Sequence, residues 1–218
     1  RYRTAEETNS YALKWLNKNK DVNPFFMFVH YNDAHIPYTP KEEFKKRFTN
    51  DTRSNKDLKG IFEYWKNYAI HDNVSKDLMD TIIALYDAEI SYMDHHLGKL
   101  LEEFDKLSLK NNTIIIITSD HGEEFYEHGF FSHEYTLYQP ATQVPLIIYF
   151  PKELEVQRIK NKVGTINIFS TILDMLNMEE PENIDGISLL PLMKNGTYAR
   201  EYVISELHGR EGIEPTKQ

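Results

Sequence analysis

Residues 111–129, NNTIIIITSDHGEEFYEHG, decide how the rest of the chain is read. Ile114, Ile115, Ile116 and Ile117 form an unbroken β-branched run, the pattern of a strand buried on both faces of a parallel sheet sandwiched between helices. The run ends abruptly in a polar loop that carries Ser119, Asp120, His121, Glu123 and Glu124. In an open α/β sheet, the loop past the carboxyl end of a strand is where ligands and chemistry gather. Asp120 offers a hard oxygen and neutral His121 a borderline nitrogen. The two suit a divalent metal, and Gly122 lets the backbone turn tightly behind them. The competing reading is a helix N-cap aspartate followed by an acidic first turn.

Working outward, residues 25–29 (Phe25, Phe26, Met27, Phe28, Val29) read as a second buried strand, which also ends in a polar cluster of His30, Asn32, Asp33 and His35. His35 precedes Ile36, Pro37, Tyr38, Thr39 and Pro40, where prolines stiffen the loop, and reads as functional; His30 reads as structural. A third apolar run, 146–150, is stopped by Pro151. Thr4 and Glu7 have the spacing of a capping box at the start of an amphipathic helix that runs toward Lys20. Residues 77–107 carry the longest helical pattern, with Ile82, Ile83, Leu85, Tyr86, Ile90, Met93, Leu97, Leu100, Leu101 and Phe104 on a core-facing stripe. Asp94, His95 and His96 on that helix point about 100° apart in turn and read as a solvated face. Residues 165–176 form a further helix with Ile168, Phe169, Ile172, Leu173 and Leu176 on one side, and residues 201–206 read as a short strand. Residues 41–76, polar with interleaved aromatics, read as a flap-like insertion beside the site, and 198–218 as the start of a C-terminal extension. The expected whole is a single α/β domain. Its strands at 25–29, 114–118 and 146–150 lie in one mainly parallel sheet, covered by the 77–107 and 165–176 helices.

Composition narrows the function. The 218 residues suffice for one large domain with a well-buried core. A net charge of -9 argues against a nucleic-acid surface, and no apolar run reaches the ~20 residues that a membrane helix needs. With no cysteine, disulfides, thiolate metal sites and a cysteine nucleophile are excluded among these residues. The chain starts at Arg1 without an initiator Met or a signal peptide, as a piece of a longer protein would. The compartment stays open, with the cytoplasm placed ahead of the exterior.

The order of motifs resembles the sulfatase family of the alkaline-phosphatase-like superfamily. The matching stretches are Pro24-Phe25-Phe26 through His30 to Tyr38, Tyr86-Asp87-Ala88-Glu89-Ile90 with Asp94 and Leu97-Gly98, and Thr118-Ser119-Asp120-His121-Gly122-Glu123 with Glu127-His128-Gly129. Leu137-Tyr138, Val144-Pro145-Leu146-Ile147-Ile148 and residues 185–192 follow in family order, so the resemblance covers nearly the whole chain.

The resemblance implies an alkaline-phosphatase-like α/β fold, incomplete at its N-terminal side, and a hydrolase that cleaves a small anionic ester. A sulfate ester comes first, with phosphate or phosphonate esters, or phosphoethanolamine and phosphoglycerol transfer, as alternatives. It implies that Asp120 and His121 bind a divalent metal: calcium for a sulfatase, manganese or zinc for phosphatase-like chemistry. It further implies that His35 contacts the anion and that His133 does the same or protonates the leaving oxygen. Ala34 and Gln143 depart from the family pattern, where Pro and Arg are common. The Asp-rich first strand and the Cys/Ser-x-Pro-x-Arg motif, source of a formylglycine or alkoxide nucleophile, are absent from these residues. The chain therefore looks like the carboxyl-terminal portion of such an enzyme, inactive by itself. The contrasting reading is a non-catalytic domain that binds an anion or a partner.

Overall fold

Thr4 Oγ1 accepts from the Glu7 amide at 3.3 Å while the Glu7 carboxylate accepts from the Thr4 amide at 3.0 Å, so the expected capping box opens helix α1, Ala5–Asn19. The computed structural model describes residues 2–54, 56–60, 62, 74–134, 136–194, 196–198, 200 and 202–207. The chain divides into two compact units, Arg1–Lys110 and Asn111–Gln218, where the sequence reading takes one domain.

In the first unit, α1 is followed by the one-turn helix α2, Glu42–Lys45, and the long helix α3, Lys76–Lys106, whose N-cap Ser75 accepts from the Leu78 amide. The buried positions of α3 are Ile82, Leu85, Ala88, Glu89, Tyr92, His96, Leu100 and Phe104; the three-and-four spacing is the expected one, but of the expected stripe only Ile82, Leu85, Leu100 and Phe104 are fully buried, with Ile83, Tyr86, Ile90, Met93, Leu97 and Leu101 half-buried. His96 corrects the solvated-face reading. It is buried, edge-on to Tyr92 at 4.6 Å, and its carbonyl accepts from the buried Asn9 side chain of α1. A helix presents each residue separately, so His95 and Asp94 stay exposed while their neighbour turns inward.

Residues 25–29 are also corrected. Phe25, Met27 and Val29 pack with Leu16, Leu100 and Phe104, but Phe26 and Phe28 are 79% and 77% exposed. The alternation is that of an extended chain with one face buried, and no strand pairs with it among the described residues. Of the 41–76 stretch, Phe44, Leu58 and Phe62 are buried, and Tyr38 meets Phe62 at 5.1 Å; residues 63–73 lie outside the described residues. The buried Lys45 ammonium donates to the Arg53 carbonyl at 2.9 Å, which satisfies a charge that burial alone would make costly.

The second unit is built on strands β1, Ile115–Thr118, and β2, Leu146–Tyr149. They pair antiparallel, Thr118 opposite Leu146 and Ile115 opposite Tyr149, which corrects the parallel direction expected for these two runs. The connection, 119–145, contains only one turn of helix, α4, Gln139–Thr142, among its described residues. A parallel return needs a crossover that carries the chain back along the sheet; this loop stays at the carboxyl end of β1, so β2 starts there and runs back. The α/β class holds. Ile114, Leu146, Ile148 and Phe150 pack against Met175 of α5, Asn167–Met175, and against Leu189, Leu190 and Met193 at α6, Leu190–Met193.

Helix α5 buries Leu173 of its expected apolar face but turns polar residues inward beside it. Phe169 and Leu176 are half-exposed, whereas Asn167, Ser170 and Thr171 are buried. Thr171 Oγ1 accepts from the Leu189 amide at 2.9 Å and Asn167 Oδ1 from the Ile187 amide at 3.2 Å. The irregular 186–189 segment needs partners for its backbone, and the polar side of α5 supplies them. Residues 202–206, expected as part of a strand, form none, and Tyr202 and Ile204 are exposed; residue 201 lies outside the described residues.

Glu89 makes a stability test of the first unit. Its carboxylate accepts from the Thr39 amide at 2.9 Å, yet burial dominates and pushes its pKa from 4.5 to about 7. A carboxyl whose folded pKa is raised favours the native state while protonated. Its contribution is therefore full below pH 4.5 and is lost as pH rises to about 7. The loss amounts to roughly 3 kcal/mol, by the ~1.4 kcal/mol per pKa unit of linkage. Glu89→Gln keeps an acceptor for Thr39 and removes the titration. Urea unfolding of the variant is expected to lose that decline between pH 4.5 and about 7; an unchanged pH dependence would contradict the assignment.

Candidate metal and anion site

Past Thr118 the chain leaves β1 without entering a helix, which rules out the N-cap reading of Asp120. Ser119 Oγ donates to the His121 carbonyl at 2.8 Å, and Asp120 Oδ1 accepts from the His121 amide at 3.1 Å. Gly122 then passes directly under α4, its amide donating to the Ala141 carbonyl at 2.7 Å. A Cβ at this glycine would lie 2.0 Å from the Pro140 carbonyl oxygen, inside any allowed contact, so no other residue fits without moving α4.

The tautomer of His121 follows from its partner. Its Nδ1 lies 2.7 Å from the Gly122 carbonyl oxygen, which can only accept, so Nδ1 carries the proton and Nε2 the lone pair. That Nε2 is 3.9 Å from Asp120 Oδ2. An ion bound at ~2.0–2.5 Å to each atom spans such a gap, so the pair fits a divalent cation as two neighbouring ligands. Among the described residues no group of three or more His, Cys, Asp or Glu is placed to hold a metal.

Glu123 and Glu124, which sequence alone places in the same acidic loop, do other work. In extended backbone successive side chains point opposite ways, and the two carboxylates go to two histidines. Glu123 Oε1 accepts from His133 Nδ1 at 3.0 Å, and Glu124 Oε1 accepts from His128 Nδ1 at 2.8 Å and from the His128 amide at 3.1 Å. Both carboxylates are buried, Glu124 completely, and Thr136 Oγ1 donates to the second Glu124 oxygen. The hydrogen bond to Glu123 pushes the His133 imidazole above its ordinary pKa, with burial pulling the other way. The His133 ring lies flat on His121, centroids 3.6 Å apart and planes 21° from parallel. His128 instead stacks on Tyr138 at 3.6 Å.

The structure thus brings together Asp120, His121 and His133 of the sequence prediction and adds Glu123 to them. A carboxylate two residues past a candidate ligand, at a strand end, was the available signal; its direction was not. His35 belongs to the first unit, exposed, with Nδ1 2.8 Å from the Ile36 carbonyl oxygen, again leaving Nε2 as the lone-pair nitrogen. Asp33 beside it accepts from the Ala5 amide at 3.1 Å and serves the start of α1.

Comparison with known proteins follows the same outline. A family model described as sulfatase matches residues 3–178. Arylsulfatase K of Canis lupus familiaris is 28% identical over 221 residues, 90% of this chain and 41% of its own length. Iduronate 2-sulfatase of Homo sapiens is 31% identical over 172 residues, 67% of this chain and 30% of its own length. The phosphonate monoester hydrolase of Agrobacterium radiobacter superposes with a TM-score of 0.73 over 90% of this chain and 44% of its own, at 19% identity, a likeness of fold. The chain therefore spans well under half the length of these relatives.

The close approach at Gly122 is directly testable. Gly122→Ala is expected to destabilise the second unit by about 1–3 kcal/mol, the usual penalty for forcing atoms into packed space. Gly98→Ala, on the exposed side of α3 where a Cβ meets nothing, is expected to stabilise slightly. Equal unfolding midpoints for the two variants would show that the Gly122 contact is not tight.

Proposed function

The chain belongs to the sulfatase family, and from that premise we propose that it is a portion of a metal-dependent sulfuric ester hydrolase, holding part of the metal shell and the anion-facing histidines. The observation that carries the reading is the 3.9 Å separation of Asp120 Oδ2 and His121 Nε2 beside the stacked His133 ring. In this reading Asp120 and His121 hold a divalent ion, calcium for a sulfate ester. Such an ion supplies positive charge at the non-bridging oxygens of the ester.

The chain's own residues supply the rest. His133, held through Nδ1 and raised in pKa, turns Nε2 toward the anion and can pass a proton to the leaving oxygen. For His35, in the first unit, contact with an anion is an expectation carried from the family motif alone. Fixed donors aimed at developing negative charge are the main source of rate in such ester cleavages. These residues contain no Cys/Ser-x-Pro-x-Arg motif to supply a formylglycine or alkoxide nucleophile.

Two measurements on the purified 218-residue chain test this. Calorimetric titration with calcium is expected to show weak binding that falls at least roughly tenfold in Asp120→Ala, the scale for loss of a metal-site residue; equal affinities would remove Asp120 from the metal shell. An aryl sulfate assay is expected to show no turnover. Turnover abolished by Asp120→Ala would overturn the claim that the chain alone is inactive.

A further inference from the structure

We propose that Glu123 is the positioning residue of His133, setting both its tautomer and its ring orientation so that Nε2 is the nitrogen presented beside His121. The part of this inference that concerns an anion rests on the function proposed above; the part that concerns Glu123 and His133 does not.

A carboxylate has no proton to give, so the 3.0 Å contact between Glu123 Oε1 and His133 Nδ1 requires the proton on Nδ1. An unrestrained neutral histidine carries its proton mainly on Nε2, so the contact reverses the intrinsic preference. The Glu123 side chain is 3% exposed, with no solvent into which to swing away. Flipping the His133 ring would set a C–H against this buried oxygen and lose the Nδ1 hydrogen bond, disfavouring the flip by roughly tenfold or more. Stacking on His121 at 3.6 Å and 21° restrains the other freedom, the tilt of the ring plane. One contact holds rotation, the other tilt, and together they leave Nε2 a single direction. A histidine ligand or acid is commonly oriented by a buried acceptor on its other nitrogen; this chain builds such an acceptor two residues past His121.

The adjacent pair supplies an internal reference. Glu124 holds His128 through Nδ1 in the same manner, but that ring is stacked on Tyr138 instead of on the site. A change confined to Glu123 should leave His128 as it is.

The test is a long-range proton–nitrogen correlation spectrum of the 218-residue chain with labelled imidazoles, recorded where the rings are neutral. Wild type is expected to show His133 and His128 both protonated on Nδ1. In Glu123→Ala the His133 proton should move to Nε2 while His128 keeps the Nδ1 form; in Glu123→Gln, which retains an acceptor oxygen, His133 should stay on Nδ1. A wild-type His133 protonated on Nε2, or a Glu123→Ala variant that leaves the proton on Nδ1, would overturn the proposal. If the alanine variant disturbs the loop so far that His128 changes too, the glutamine variant decides. Titration with sodium sulfate, at a pH low enough for His133 to be protonated on both nitrogens, is a separate arm. It is expected to shift the His133 Nε2 resonance, with affinity about tenfold weaker in Glu123→Ala than in wild type or Glu123→Gln. A sulfate titration that leaves His133 unmoved would refute the anion site, while the tautomer result alone decides the role of Glu123.

Discussion

The loop that carries the candidate site is tied off at its base, and the tie is backbone on backbone. Thr118 faces Leu146 where the two strands meet, and a few residues further out the Gly122 amide meets the Ala141 carbonyl. With 119–145 closed at both levels, Asp120 and His121 sit on a short arc between two fixed points instead of at the tip of a long loop. That is why a glycine is required at residue 122: any side chain there would have to enter the Pro140 carbonyl and open the arc.

The imidazoles of the candidate residues, in both units, obey one rule. His35, His121, His128 and His133 each place Nδ1 against an oxygen that can only accept, two backbone carbonyls and two buried carboxylates. In its neutral form each ring therefore carries its lone pair on Nε2. The local carbonyl contacts of His35 and His121 come from the backbone beside them, whereas Glu124 and Glu123 reach four and ten residues along the chain. The carboxylates hold rings in place, a task that needs burial, while Asp120 stays 75% exposed at the side-chain level.

The first unit shows polar groups built into a core. Asn9 lies between α1 and α3, donating to the His96 carbonyl and accepting from Tyr31, and burial holds the Tyr31 hydroxyl near a pKa of about 12. These contacts fix how the two helices register beyond what Leu16, Leu100 and Phe104 alone would specify. On α5 the same logic turns Asn167 and Thr171 inward, because the backbone amides of the irregular 186–189 segment need acceptors more than α5 needs to bury Phe169.

Much was legible from sequence where the cause is local. The capping box at Thr4, the length and stripe of α3, the β-branched run of β1 and the polar loop at its end all follow from neighbours in the chain, and each stands in the structure within a residue or two. The family was legible too, because several short motifs in fixed order are written in the sequence itself. What tertiary structure decided is whatever depends on residues far apart. The antiparallel return of β2 is set by a connection that never crosses the sheet, and the exposure of Phe26 and Phe28 by the absence of a strand beside them among the described residues. The division of labour among Asp120, Glu123 and Glu124 could not be read from three acids in five residues. Their chemistry is nearly the same, and only burial and the histidine each one meets distinguish a candidate ligand from a buttress.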